Sequence, residues 1–163
     1  MTVKQWSAGD VLTAADMDAW AVPLAAFKTA NTDRTTTTMS GDPDLTVSVA
    51  ASAWYFVDAF LVYFCTSTTP HFKWTWITPA GAGAASYHAV YTGAGGSIVS
   101  ELDLYSETHT AGVPVGSVSM AVTIRGTLLT SSAGSFQLSW AADSAVATMT
   151  LSARSQLKLT RTG

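Results

Sequence analysis

The chain has 163 residues, of which 48% are hydrophobic and 12% are charged, and its formal net charge is −3. This composition excludes a disordered tail, a coiled coil and a collagen-like rod, and the lack of a basic stretch argues against a nucleic-acid partner. One cysteine excludes an internal disulfide framework and a Cys-based zinc cluster. Because so few charges are present to keep the protein soluble, we expect partner chains to cover part of its apolar surface.

The first part of the chain differs in pattern from the rest and is predicted to be an N-terminal anchor. Thr13, followed three residues later by Asp16, resembles a capping box and predicts a short helix over residues 14–21. The threonine-rich stretch 31–38 is expected to be an extended linker, since β-branched residues disfavour helix. The apolar residues expected to hold this anchor to a larger particle are Trp6, Leu12, Met17 and Trp20. No signal peptide and no membrane-spanning run is predicted.

From Asp44 onward, hydrophobic and polar residues alternate with a period of two, which is typical of strands with one buried face. The alternating apolar sets fall at residues 45–49, 118–124, 136–140 and 157–159. Gly and Pro turns separate about eight or nine strands, and crossover helices are missing. We therefore predict an all-β, antiparallel, jelly-roll-like β-sandwich over residues 41–163, preceded by the anchor of residues 1–40. The choice between a jelly roll and an immunoglobulin-like sandwich stays open.

The segment from Trp54 to Cys65 is apolar on both faces apart from Asp58. Such a strand is either central in a two-layer sandwich or covered on its outer face by a neighbouring subunit. A buried carboxylate needs a partner, which Arg125 or Arg154 could supply. The cysteine of this segment is expected to be buried and inert. The candidate subunit-interface residues are Trp54, Phe56, Phe60 and Phe64.

Motifs for catalysis or for a cofactor are missing from the sequence. It contains no nucleophile elbow, no P-loop and no dinucleotide-binding glycine pattern. The histidines are His71, His88 and His109. Their spacing gives no metal-site signature, although strands of a jelly roll could still bring ligands together, and exposed or hydrogen-bonded histidines are the simpler interpretation. Glu101 and Asp103 share one strand face, which is usually a solvated face or a calcium-tolerant rim. We therefore predict no enzyme, no cofactor and no metal.

The aromatic residues fall into two groups. The first group is predicted to be the inward face of a core strand, and its members are Phe72, Trp74 and Trp76. The second group is predicted to lie in exposed loops and to contact host glycans, and its members are Tyr87, Tyr91 and Tyr105. Aromatic faces stack on sugar rings, and loops on a rigid sandwich often carry binding residues. This second group supports an alternative function, a carbohydrate-binding module that contacts host-envelope glycans.

Both ends of the chain resemble one family of proteins. Residues 6–18, WSAGDVLTAADMD, resemble the opening W-x-x-G-[DE]-x-[LV]-T-A-A-x-[LM]-N of many tailed-bacteriophage virion proteins, with Asp18 where Asn is usual. Residues 126–161 are similar to a closing pattern, G-x-[LV]-x-T followed by G-x-[LFV]-x-[LV]-x-[WF]-A and S-x-L-x-[LV]-x-[RK]. That pattern recurs in minor tail, fibre and head-decoration proteins of phages of actinobacteria.

The resemblance implies a short anchor attached to a β-sandwich that projects from the particle, commonly as a trimer. The function it implies is that of a non-enzymatic virion structural protein, acting as a minor tail or fibre protein or as a capsid decoration protein. Its expected partners are itself, other virion proteins and a host-surface glycan, without nucleic acid or membrane insertion. Its expected location is the virion, assembled in the host cytoplasm. Attachment to the capsid or to the tail stays open.

Overall fold

The computed structural model describes residues 7–11, 13, 23–67, 69–81, 86–93, 96–112 and 118–162. The regular elements of this part of the chain are all strands, namely β1 (Leu24–Phe27), β2 (Thr32–Arg34), β3 (Ser40–Val49), β4 (Ala53–Cys65), β5 (Phe72–Ile77), β6 (Ser86–Thr92), β7 (Ile98–Leu104), β8 (His109–Ala111), β9 (Met120–Thr130), β10 (Gly134–Ala142), β11 (Met149–Leu151) and β12 (Gln156–Arg161). The all-β prediction is confirmed. Within the described ranges no helix could cross a membrane.

The strands form two antiparallel sheets that pack as a sandwich. The small sheet has the order β3-β10-β5-β8. The large sheet has the order β1-β12-β4-β9-β6-β7, and β11 pairs with both β4 and β2 beside it. The eight strands from β3 to β10 thus divide into β3-β10-β5-β8 and β4-β9-β6-β7, which is the strand order of a jelly roll. The strand order therefore selects the jelly roll over the immunoglobulin-like alternative.

The core lies between the two sheets, where the predicted alternation places it. The predicted apolar sets are inward and buried at Leu45, Val47, Val49, Val122, Ile124, Phe136, Leu138, Trp140, Leu157 and Leu159, while Val118 precedes β9 and is exposed. Phe72, Trp74 and Trp76 are buried as predicted, and the ring of Trp76 stacks on Phe136 with centroids 4.7 Å apart. Cys65 is a free, buried thiol, also as predicted.

The sandwich includes residues that the sequence assigns to the anchor and its linker. Leu24–Phe27 pairs with β12, and Thr32–Arg34 pairs with β11, so the prediction of a linker over residues 31–38 is wrong. Strands of four and three residues are too short to show a period of two, which is why the pattern does not reveal them. The predicted helix over residues 14–21 and the anchor residues Trp6, Leu12, Met17 and Trp20 lie outside the described residues.

A buried ion pair fixes the start of the sandwich. Lys28 Nζ lies 2.9 and 3.1 Å from the two carboxylate oxygens of Asp42, and both side chains are fully buried. Asp42 also accepts hydrogen bonds from Trp140 Nε1 at 3.0 Å and from the Leu45 amide at 3.2 Å. Burial alone would raise the pKa of Asp42, but these hydrogen bonds and the Lys28 charge outweigh burial and hold its pKa below the ordinary value.

The backbones of β9 and β6 approach each other closely at Gly126. A Cβ atom at this position would lie 2.5 Å from the carbonyl oxygen of Ser86 and 2.6 Å from Cα of Tyr87. Both of these atoms belong to the backbone of β6, which is held by pairing with β9 on one side and β7 on the other. The pairing of β6 with β9 therefore depends on a residue without a side chain at position 126.

Candidate subunit interface

The outward faces of the two sheets differ in chemistry. Outward residues of the small sheet are mostly polar and include Thr46, Ser48, Lys73, Thr75 and Gln137. Outward residues of the large sheet include seven exposed large apolar side chains: Phe27, Phe56, Phe60, Val90, Ile98, Leu102 and Leu104. An antiparallel sheet that faces water normally carries polar residues there, so this number of exposed apolar residues indicates an interaction surface. Polar residues lie between them, with Gln156 between Phe27 and Phe60 and Thr123 between Phe60 and Val90. We call this outward side of the large sheet the apolar face.

All four candidate interface residues lie on the apolar face. β4 occupies the centre of the large sheet between β9 and the strands β11 and β12, so one of the two predicted explanations for its apolar character holds. Its outward residues include Trp54, Phe56, Phe60 and Phe64, because alternate residues of a strand share a face. Phe56 is 59% exposed and Phe60 is 37% exposed, whereas Trp54 and Phe64 are half-buried. Phenylalanine rings at the centre of this sheet therefore meet solvent in the single chain.

The apolar face is large enough for a specific contact. Its six strands lie about 4.8 Å apart, and seven residues of a strand span about 23 Å, which gives a face on the order of 600 Å². That area includes the polar residues of the outward side as well as the apolar ones. A stable complex buries about 800 Å² on each partner, so the whole outward side approaches the area of one side of an interface.

A small group of charges lies in the middle of the apolar face. Asp58 Oδ2 is 3.9 Å from Arg125 Nε, and the two side chains are 55% and 76% exposed. Arg125 is thus one of the two partners predicted for Asp58. The predicted burial of Asp58 is wrong for the single chain, because its side chain points outward. Arg154 instead donates to Ser119. Lys158 lies opposite Asp58 on β12, so both signs of charge are present.

A shallow depression lies beside this charge pair. It has a volume of about 460 Å³ and is lined by Phe56, Val57, Asp58, Arg125, Gly126 and Thr127. Gly126 and Val57 occupy inward positions of their strands, whereas Phe56, Asp58, Arg125 and Thr127 project outward around the depression. The depression thus combines an aromatic wall with a charge pair on the outward side of the sheet.

The three tyrosines predicted as exposed glycan contacts are buried, so that prediction is wrong for this chain. Tyr87, Tyr91 and Tyr105 are 0%, 7% and 3% exposed. Tyr87 and Tyr91 occupy inward positions of β6, and Tyr105 packs against the rings of Trp76 and Phe136. Burial raises the pKa of all three phenols above the ordinary value. Their ring faces are used for core packing and are not free to stack on a sugar.

The structure also gives the positions of the histidines and of the paired acids. His88 is exposed with Nε2 2.7 Å from Ser100 Oγ, and His71 Nδ1 lies 2.6 Å from Asp143, which agrees with the simpler interpretation. Glu101 and Asp103 do share one face of β7, but this face points into the sandwich, towards His109 of β8. The solvated rim expected for these acids is therefore only partly observed.

No protein-family model matches the chain, and no curated protein matches it. Two solved structures that overlap with it come from infectious bursal disease virus, the Gx strain and the Gt strain. The first is 6% identical over 87% of this chain and 39% of that chain, with a TM-score of 0.21. The second is 10% identical over 99% of this chain and 47% of that chain, with a TM-score of 0.23. The chain spans less than half of either one, and at these TM-scores the likeness carries no argument about fold or function.

Proposed function

We propose that this protein is a non-enzymatic structural component of a tailed-bacteriophage particle. In this role it assembles as a homotrimer through the apolar face, and its N-terminal segment attaches it to the particle as a minor tail or fibre protein or as a capsid decoration protein. The observation that carries the proposal is the row of exposed phenylalanines on the central strand of the large sheet. The resemblance of both chain ends to virion proteins supports the choice of particle.

The charges on the apolar face favour further copies of this chain as its binding partners. Asp58, Arg125 and Lys158 give the face both signs of charge, so a rotated copy can offer an acid to a base and a base to an acid. The outward side of the small sheet lacks such an apolar area, which leaves it free to face solvent in the assembly. Exposed phenylalanines beside such charges are typical of a surface that another protein chain covers.

The predicted function also includes contact with the host and a non-enzymatic role. Host contact through Tyr87, Tyr91 and Tyr105 is not part of the proposal, because those rings are buried. The non-enzymatic role is supported by the missing catalytic motifs, whereas the jelly-roll scaffold does not bear on it, because capsid domains, lectins and cupins share that scaffold. The proposal is thus one of assembly and display and not of glycan recognition.

The experiment that tests assembly replaces one exposed apolar residue on each sheet by glutamate. Phe60→Glu places a charge on the apolar face, whereas Ile77→Glu places it on the outward side of the small sheet at a residue of similar exposure, 42% against 37%. Sedimentation velocity over a range of concentrations should show dissociation of the Phe60 variant and an unchanged assembly for the Ile77 variant. Equal behaviour of the two variants would contradict an interface on the large sheet.

A second experiment tests whether the protein is a component of the phage particle. Mass spectrometry of purified particles of the phage that encodes this chain should detect it with a copy number divisible by three. Its absence from the particles would remove the virion role while leaving the oligomer result in place.

A further inference from the structure

A polar cluster occupies the inner side of the sandwich where the edges of the two sheets meet. Glu101 and Asp103 point inward from β7, the edge strand of the large sheet, and His109 points inward from β8, the edge strand of the small sheet. Tyr87 lies directly opposite Asp103 on β6, and the small Ala89 lies opposite Glu101. Three residues that can bind metal thus converge from two strands of different sheets.

The distances within the cluster suit one shared ion. His109 Nδ1 lies 2.9 Å from Glu101 Oε1 and 3.7 Å from Asp103 Oδ2, and one ligand atom from each of the three residues falls within 4.8 Å of the others. Two ligands that each lie about 2.1 Å from a metal are separated by about 3.0 Å at a right angle and about 3.4 Å at a tetrahedral angle. Small side-chain adjustments are enough to place all three around a single ion.

Buried polar atoms that lack a partner point to a ligand at the same place. Tyr87 is fully buried, and its hydroxyl makes no hydrogen bond to any described residue, as is also true of Asp103 Oδ2. The indole N–H of Trp74 approaches the Tyr87 oxygen outside hydrogen-bond geometry, and it is a donor, so it cannot accept the phenol proton. The rings of Tyr87 and His109 lie 5.7 Å apart between centroids, and Tyr87 pairs with Asp103 across the two strands, so the residue that carries this hydroxyl borders two of the three candidate ligands.

The two carboxylates are a costly arrangement without a cation. Glu101 and Asp103 lie on the same inward face of one edge strand, so two carboxylates are held close together beside a single imidazole. Tyr91 Oη donates to Glu101 Oε1 at 2.5 Å and thereby holds that carboxylate in place, as groups around a metal ligand commonly do. A bound divalent ion would supply the positive charge that two adjacent carboxylates need.

We propose that Glu101, Asp103 and His109 bind one divalent transition-metal ion of the zinc or manganese class. Two carboxylate oxygens and an imidazole nitrogen form a mixed set that suits these ions, whereas calcium prefers oxygen ligands alone. The side chains of Glu101 and Asp103 are 32% and 23% exposed, which gives the ion a route from solvent, while that of His109 is 7% exposed. The ion ties β7 to β8 and so fastens the two sheets along one edge.

The test uses the untagged full chain, freed of metal by a chelator and then titrated with zinc, manganese or calcium chloride in a calorimeter. Zinc or manganese should bind at one ion per chain and more tightly than calcium. Cobalt chloride serves as a spectroscopic probe, because its visible absorption reports nitrogen and oxygen ligation directly. This readout reports the metal ligands themselves and does not depend on changes in the fluorescence of the core residues Tyr87 and Tyr91.

The variants Glu101→Gln and Asp103→Asn keep the shape of each side chain and should bind zinc roughly tenfold or more weakly. The matched control is Asp143→Asn, which removes the other carboxylate–histidine contact, that of His71, and should bind like the unaltered chain. Circular dichroism verifies that each variant is folded, and the two ligand variants provide independent tests if one is not. Failure of zinc and manganese to bind at one ion per chain, or equal affinity of ligand and control variants, would overturn the proposal.

Discussion

The Lys28→Met substitution removes the only cation that contacts Asp42 among the described residues, and its effect can be worked out from the structure. Lys28 Nζ bonds to both carboxylate oxygens, and neither side chain meets solvent. Methionine has a similar length and apolar character, so packing along the stem is largely kept. The variant therefore leaves a buried carboxylate with hydrogen bonds from Trp140 and from backbone amides but without its counter-charge.

The expected loss is a large part of the protein's stability. Removal of one partner of a buried ion pair costs about 3–5 kcal/mol, against a typical free energy of unfolding of about 5–15 kcal/mol. For a domain of this length each kcal/mol lowers Tm by about 2–4 °C, so Tm should fall by roughly 6–20 °C. An exposed ion pair, by contrast, contributes only about 0–1 kcal/mol.

The assay is urea unfolding at pH 7, followed by tryptophan fluorescence at one fixed protomer concentration, because assembly makes apparent stability depend on concentration. The control is Lys73→Met, which removes a lysine whose ammonium donates to the carbonyl oxygen of Thr37 at 2.8 Å and forms no ion pair with any described residue. In the double variant with Asp42→Asn the buried charge is gone, so the Lys28 substitution should cost clearly less there. A loss below about 1 kcal/mol for Lys28→Met would refute the reasoning.

Three further outcomes follow from the same structure. Folding lowers the pKa of Asp42, so the stability that its charged form contributes is complete above the unfolded pKa of about 3.9 and is lost as the pH falls through the folded pKa. The free energy of unfolding should therefore fall less steeply with decreasing pH in Asp42→Asn. Gly126→Ala should cost about 1–3 kcal/mol by overpacking against backbone, whereas Gly134→Ala, which meets only the ring of a proline at 3.1 Å or more, should cost clearly less in the same urea assay. Removal of residues 1–40 should abolish cooperative thermal unfolding, because it deletes β1, β2 and the buried Lys28.

Hydrophobic alternation was enough to predict the sandwich but not which face of each strand is inward. In β10, Phe136, Leu138 and Trp140 are both the apolar set and the inward set, so pattern and burial agree. In β7 they disagree, because Leu102 and Leu104 point outward while Glu101 and Asp103 point inward. A rule that places acids in water therefore fails here, because the alternation within β7 does not show that His109 of β8 faces these acids across the sandwich.

The candidate interface was predictable in part. An apolar strand interrupted by Asp58 predicts either a central strand of a sandwich or an outer face covered by a neighbouring subunit, and Arg125 is one of the two arginines that could pair with Asp58. The contributions of Phe27 and Leu102 to the same face could not be inferred, because they depend on strand order and register across six strands. Long-range pairing of this kind is set by tertiary packing and not by local sequence.

The tyrosines show a different limit of prediction from sequence. Aromatic residues favour binding surfaces and cores for the same physical reason, which is their large apolar area. Tyr87 and Tyr105 therefore could not be assigned from composition alone, and the structure places them in the core, 4.9 Å apart between ring centroids.

The central claim is that the apolar face is covered by sister chains, and the molar mass of the unaltered full chain in solution tests it most directly. Light scattering coupled to gel filtration, at protomer concentrations in the micromolar range, should give three times the 17.0 kDa of one chain. A stable particle of 17.0 kDa that stays soluble at those concentrations would contradict the claim, because Phe56 and Phe60 would then remain exposed.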